Sequence, residues 1–268
     1  MSGIESAFDR SSRVTGLRID LSSRYSILLA ALKLVKKKSN LNSDNDPNQN
    51  TTLFYSEEYY LGHYGAVIED EANYQLLSLY WRDVLFVRRS LDPNGTVLDF
   101  GSGVGQVSAA LSRSVCFDFN PFALGELRKR SRVVIDDRQN IPRAAFDFVL
   151  SSHSLEHSPT PFRDLEEFRQ YLRPGGRLVL VLPIEIERKP SLAPDWNQHL
   201  HAWTFQTITN LLLATGWTPL VQTTIYGPYL LRTLGRRLPP ALTVRLAYGF
   251  GRMRRAYASM LTIAKISE

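Results

Sequence analysis

The chain has 268 residues, 44% of them hydrophobic, which suits one domain with extensions and a sizeable core. A single cysteine, Cys116, excludes a disulfide framework and any zinc site of several thiolates, and no metal site is expected. The net charge of +6 is uneven: residues 1–50 carry +3, residues 51–227 carry −4 and residues 228–268 carry +7, so the basic excess lies on the flanks and suits an anionic partner there.

From the N-terminus, residues 1–20 show no clear periodicity. Over Arg24 to Lys38, Ile27, Leu28, Ala31, Leu32 and Val35 recur at helical spacing and end on three lysines. Basic residues suit a helix C-terminus; the same pattern suits a helix lying on a membrane surface. The six-residue apolar run Ile27 to Leu32 is far short of the ~20 residues that span a bilayer, and no cleavage pattern follows it, so no secretory signal is expected. Ser39 to Asn50 reads as a polar linker. Residues 1–50 therefore form a basic extension and linker, and 51–268 the main domain.

Phe54 to Tyr64 carries Tyr55, Tyr59, Tyr60 and Tyr64, either the cover of a ligand or the closure of a core. Glu69 to Ser90 has helical periodicity, and Asp92 to Gly95 is a turn. Thr96 to Asp99 reads as a short buried strand ending in an acid. Glycines follow at every second position, Gly101, Gly103 and Gly105, and then an amphipathic run, Gln106 to Ser112. Strand, tight turn and helix start are expected, with glycine admitting positive φ and close approach of a ligand to the backbone. This spacing is not the GxGxxG of dinucleotide binding. Asp99 would repel a pyrophosphate but not a ligand carrying an ammonium group.

Ser114 to Asp118 reads as a second strand ending in an acid about 20 residues after the glycine turn, a placement that suits ribose hydroxyls. A short basic helix, Phe122 to Arg132, and a third strand, Val133 to Ile135, follow. Phe146 to Ser151 is an apolar fourth strand, as expected of a strand covered on both faces. It leads into Ser152-His153-Ser154-Leu155-Glu156-His157. Phe162 to Leu172 is an amphipathic helix, Arg173-Pro174-Gly175-Gly176 a turn, and Arg177 to Leu182 a fifth strand. Ile184 to Leu200 reads as a loop, closed by His199 and His201. A helix over Thr204 to Ala214, a strand over Thr218 to Tyr226, an Arg- and Leu-rich helical insertion over 228–258 and a closing strand over Ser259 to Lys265 complete the chain.

Three stretches carry a resemblance: the Asp99 to Gly105 loop, the Leu-Glu-His after the fourth strand, and Leu-Arg-Pro-Gly-Gly before the fifth. Together they resemble the class I S-adenosylmethionine-dependent methyltransferases, in the branch acting on quinone-, sugar- or lipid-pathway small molecules. The resemblance runs from about Asp92 to Tyr226 and resumes at Ser259. It implies an α/β, Rossmann-like, doubly wound sheet of seven strands with the last strand antiparallel. It also implies S-adenosylmethionine as cofactor, held by Asp99, Gly101, Ser102, Gly103 and Gly105. Asp118 would hold the ribose with Phe119 beside the adenine, Asp137 and Arg138 would lie on the adenine side, and Ser152 and His153 beyond the fourth strand.

The expected reaction is methyl transfer, O-directed by preference, to a small-molecule or lipid- or sugar-linked acceptor. His157, His199 and His201 are the candidates for removing the acceptor's proton, with a purely structural His157 left open. The Asn/Asp-Pro-Pro-Tyr/Phe and Pro-Cys motifs of nucleic-acid methyltransferases are absent, so nucleic acid is the less favoured acceptor. An RNA methyltransferase and a non-catalytic S-adenosylmethionine-binding subunit remain the alternatives. The expected setting is cytoplasmic, with peripheral contact to an anionic membrane through the basic flanks.

Overall fold

Val97–Phe100 (β1) and Ser114–Phe117 (β2) are buried at every position, which requires layers on both faces of the sheet that holds them. In the computed structural model, which describes residues 55–185 and 197–268, these strands join Val133–Ile135 (β3), Phe146–Ser152 (β4), Leu172–Pro183 (β5), Trp217–Ile225 (β6) and Ser259–Ile266 (β7). The sheet has seven strands in the order β3-β2-β1-β4-β5-β7-β6. All neighbours are parallel except β7, which runs antiparallel to both β5 and β6. This is the doubly wound, Rossmann-like sheet implied by the resemblance. The basic helix over 24–38, the linker, and the part of the 184–200 loop at 186–196 lie outside the described residues.

The helices are Glu57–Ile68 (α1), Glu71–Leu85 (α2), Pro121–Lys129 (α3), Pro161–Tyr171 (α4), Phe205–Ala214 (α5), Leu231–Gly235 (α6) and Pro240–Arg254 (α7). Local chemistry sets their starts. Asp70 accepts from the Asn73 N–H, Asn120 accepts from Phe122 and Ala123 N–H, and Thr204 with Thr207 forms a capping box. On one face of the sheet, Leu165 and Phe168 of α4 and Ile208 and Leu212 of α5 pack around Leu98, Phe100, Leu180 and Trp217. Trp217 is fully buried, and its indole N–H donates to the Leu165 carbonyl at 3.0 Å, so its large apolar area is gained without an orphaned donor.

One expectation is corrected here. Gln106 to Ser112 is a series of turns, not a helix. Only 13 residues join β1 to β2, and side chains capture the carbonyls that a helix would use. Arg132 donates to the Ser108 and Ala109 carbonyls at 3.1 Å, and the Ser114 hydroxyl donates to the Ser108 carbonyl at 3.0 Å. The layer over that face comes from elsewhere. Tyr80, Val84 and Leu85 of α2 pack with Leu231 of α6 and Val244 and Ala247 of α7 against Val97, Leu150 and Leu261. The insertion over 228–258 thus buries its apolar stripe on the sheet and leaves Arg232, Arg236, Arg237, Arg245, Arg252, Arg254 and Arg255 exposed.

Candidate active site

The sheet order places β1 between β2 and β4, so crossovers leave β1 and β4 in opposite directions. A crevice opens there, outside the carboxyl ends of the strands. It is a cleft of about 290 Å³ lined by Asp99, Gly101, Ser102 and Gly103 after β1, Asp118, Phe119 and Asn120 after β2, and Ser152, His153, Ser154, His157 and Ser158 after β4. Tyr55, Tyr59, Tyr60, Tyr64 and Trp81 close it from the N-terminal side. Tyr60 packs on Phe122 and Tyr64, with Val104 and Ala123 beneath.

The glycine loop owes its shape to three positive φ angles, +69°, +54° and +80° at Gly101, Gly103 and Gly105, which side chains adopt at a cost. The three glycines do different things. A Cβ at Gly101 would lie 2.5 Å from Ser154 Cβ, and one at Gly105 would lie 2.6 Å from Leu127. Those positions serve packing of the protein on itself. A Cβ at Gly103 meets nothing closer than Tyr60 at 3.9 Å, so this is the glycine open to the cleft.

Asp118 is buried; its Oδ2 accepts from the Gly103 N–H at 2.8 Å and its Oδ1 from the Asn120 N–H at 2.9 Å. It therefore ties the glycine loop to the end of β2. Burial pushes its carboxyl up to about 6, against the pull of those backbone donors. Asp99 is 1% exposed, and its Oδ2 has no hydrogen-bond partner. Burial pushes it too up to about 6, while Ser108 and Arg132 pull the other way. The buried Ser102 hydroxyl is likewise unpartnered. Orphaned buried polar atoms are costly. An acceptor oxygen and a hydroxyl beside an open glycine fit a ligand with an amine, a carboxylate and a ribose, as S-adenosylmethionine has.

The remaining expected residues divide. Arg138 lines the cleft, paired with Asp164 at 2.7 Å and with Glu167, its guanidinium 5.1 Å from the Phe100 ring centroid. Asp137 stays on the surface and caps the turn Arg138–Asn140, accepting from the Gln139 N–H. His153 lines the cleft in a left-handed conformation, φ +51°, with Nε2 3.2 Å from the Ser259 hydroxyl. His157 lines it as well, Nδ1 2.7 Å from the Tyr55 hydroxyl. Burial holds its imidazole below the ordinary value, against the opposing charge of Glu156. His199 sits behind it, ring centroids 4.9 Å apart, with Nδ1 2.5 Å from Glu185 Oε1. His201 faces a separate shallow groove, stacked on Trp203, its Nε2 2.9 Å from the Ser158 carbonyl. The Leu200 and His201 N–H groups donate to the Glu156 carbonyl, which fixes the 197–201 segment against the Leu155–His157 turn. Sequence reasoning missed Trp81, Asn120, Ser154, Asp164 and Glu156. Asn120 carried a visible signal, since Asn-Pro before a helix is a cap.

A family model described as a methyltransferase domain matches residues 72–222, more than half of the chain. The chain belongs to that methyltransferase family. It is an S-adenosylmethionine-dependent enzyme. A Synechocystis protein named 2-methyl-6-phytyl-1,4-hydroquinone methyltransferase is 22% identical to this methyltransferase over 75% of the chain and 80% of its own length. A Shewanella tRNA U34 carboxymethyltransferase is 29% identical over 47% of the chain, which spans under half of that relative (44%). Among solved structures, the Burkholderia thailandensis 1,6-didemethyltoxoflavin-N1-methyltransferase, with its substrate and S-adenosylhomocysteine bound, aligns at TM-score 0.52 and 19% identity, over 85% of this chain and 93% of its own. A Thermotoga maritima methyltransferase aligns at TM-score 0.52 and 13% identity, over 81% and 99%. At such identities the alignments speak for the fold.

Proposed function

We propose that this methyltransferase acts on oxygen of a small amphiphilic acceptor, an aromatic hydroxyl compound or a lipid- or sugar-linked one. The observation that carries this reading is the acceptor side of the cleft: four tyrosines and Trp81 line it together with His157, whose burial holds its imidazole below the ordinary value. Flat apolar walls with a few polar groups hold an aromatic acceptor and keep water out. S-adenosylmethionine supplies an electrophilic methyl group on its sulfonium. Asp99 and Ser102 would hold its amino-acid end, Asp118 its ribose, and Arg138 would stand on the adenine side. The acceptor hydroxyl must lose its proton as the new bond forms, and His157 lines the cleft on that side. The Synechocystis relative, named for a hydroquinone with a phytyl chain, supports an acceptor of this class.

A peripheral membrane contact belongs to the same reading. β7 starts at Ser259, paired with Pro183 and Ile225, and Ser259 touches His153 in the cleft. The preceding segment therefore lies at the cleft end of the sheet. It exposes Arg252, Arg254 and Arg255 with Met253 (70%) and Tyr257 (84%). Cations around exposed apolar side chains suit an anionic bilayer, which would present a lipid-soluble acceptor to the cleft.

RNA methylation is the second reading, favoured by the tRNA-modifying relative. Incubation with tritiated S-adenosylmethionine, a panel of phenols and quinols with and without prenyl chains, and total tRNA separates the two. Label transferred to a hydroxyl oxygen of the small acceptors is expected. Label in tRNA alone contradicts the proposal.

A further inference from the structure

The turn after β4 buries an acid with no hydrogen bond. Glu156 is 0% exposed, and neither of its carboxylate oxygens has a hydrogen-bond partner. Buried charges are paired or bind metals. His153 Nδ1 stands 3.5 Å from Oε1, long for a hydrogen bond. Two histidines converge on the same point: one ligand atom each from Glu156, His157 and His199 lie within 4.8 Å of one another. Each ring also has a polar partner outside the trio. His157 Nδ1 meets the Tyr55 hydroxyl, and His199 Nδ1 meets the Glu185 carboxylate. Metal-bound histidines are held in this way, through the second nitrogen to a carboxylate or other polar group.

We propose that Glu156, His157 and His199 form a site for a divalent cation of the zinc class in the wall of the cleft. Two imidazoles and one carboxylate are ligands that zinc accepts at about 2.0–2.2 Å. Tetrahedral bonds of that length place ligand atoms roughly 3.3 Å apart, so the three side chains close in slightly on binding, and His157 exchanges its contact with the Gln198 backbone for the metal. Three protein ligands are the number that leaves a coordination position open, and His157 lines the cleft. On the reading of O-methylation, an acceptor hydroxyl taken up at that position ionises more readily. Its O–H bond breaks with the proton passing to water, and the oxygen then forms the new C–O bond as the methyl–sulfur bond breaks. The binding site itself does not depend on that reading.

The test is calorimetric titration of zinc chloride into protein stripped with chelator, for the wild type, Glu156→Gln, His199→Ala and Glu185→Gln. One equivalent with a micromolar or tighter Kd is expected for the wild type. Loss of at least tenfold is expected in the two ligand variants, and a 10–100-fold loss in Glu185→Gln. Zinc should raise the Tm of the wild type and not that of His199→Ala. Cobalt(II) should give visible absorption bands of a four- or five-coordinate nitrogen and oxygen site. His199 is near the surface, its side chain 15% exposed, so His199→Ala decides the matter if Glu156→Gln fails to fold. Absence of zinc binding by the wild type overturns the proposal, as does unchanged affinity in folded His199→Ala.

Discussion

At the scale of single residues, the cleft proposed to hold the cofactor is lined by two acids that burial pushes up to about 6. Their folded values lie above the 3.8 of the free carboxyl. Stability from these groups is therefore full below about pH 4 and is lost as pH rises from there through about 6. On the proposed reading both are ionised to face an ammonium and ribose hydroxyls, so cofactor binding would offset that loss and draw on the ionised form. Affinity for S-adenosylhomocysteine should then be flat above about pH 7 and weaken below pH 6, by up to tenfold per unit for each acid. Titration between pH 5 and 8 checks this, and affinity constant across that range would show that neither carboxylate meets the ligand. The glycines give a second test. Gly101→Ala drives a Cβ into Ser154, so it should lower the Tm by many degrees, whereas Gly103→Ala has room and costs about 1 kcal/mol for its positive φ. Gly103→Ala should stay folded yet bind the cofactor at least tenfold more weakly.

At the scale of elements, α2, α6 and α7 form the layer that a crossover helix between β1 and β2 would otherwise help to supply. The strands were legible because their signal is local, runs of Val, Leu, Ile and Phe, whereas Arg173–Gly176, expected as a turn, falls within β5. The stretch Gln106 to Ser112 misled because its amphipathic pattern is real, with Val107 and Leu111 packing inward. The carbonyls around it are captured by Arg132, 20 or more residues downstream, a contact that no local pattern reports. Glu156 was invisible for a similar reason: what isolates it is packing of the 197–201 segment on its own turn. The same dependence makes α7 sensitive at Gly251, where an added Cβ would strike the Gly227 carbonyl oxygen. Gly251→Ala should destabilise by about 1–3 kcal/mol, read as a fall in the denaturation midpoint with cofactor affinity kept in the folded fraction.

At the scale of the whole molecule, the basic charge is concentrated in the C-terminal segment. The segment 228–268 carries +7, and Arg252, Arg254 and Arg255 stand exposed with Met253 and Tyr257 just before β7. Among the described residues no helix is long and apolar enough to cross a membrane, so any membrane contact through them is peripheral. Sedimentation with liposomes should show binding that rises with anionic lipid and falls with salt. It should weaken when Arg252, Arg254 and Arg255 become Gln; protein left in the supernatant at low salt with strongly anionic vesicles contradicts the docking. The account as a whole rests on the crevice beyond β1, β2 and β4 being the cofactor site. The most direct measurement is calorimetric titration of S-adenosylhomocysteine into the wild type and Asp118→Ala. Removing that carboxylate takes away a charge-assisted hydrogen bond worth about 1.5–3 kcal/mol. Binding by the wild type and a roughly 10–100-fold weaker Kd in the variant, both folded, is the predicted result. Equal affinity in the two, or no binding by the wild type, would contradict it.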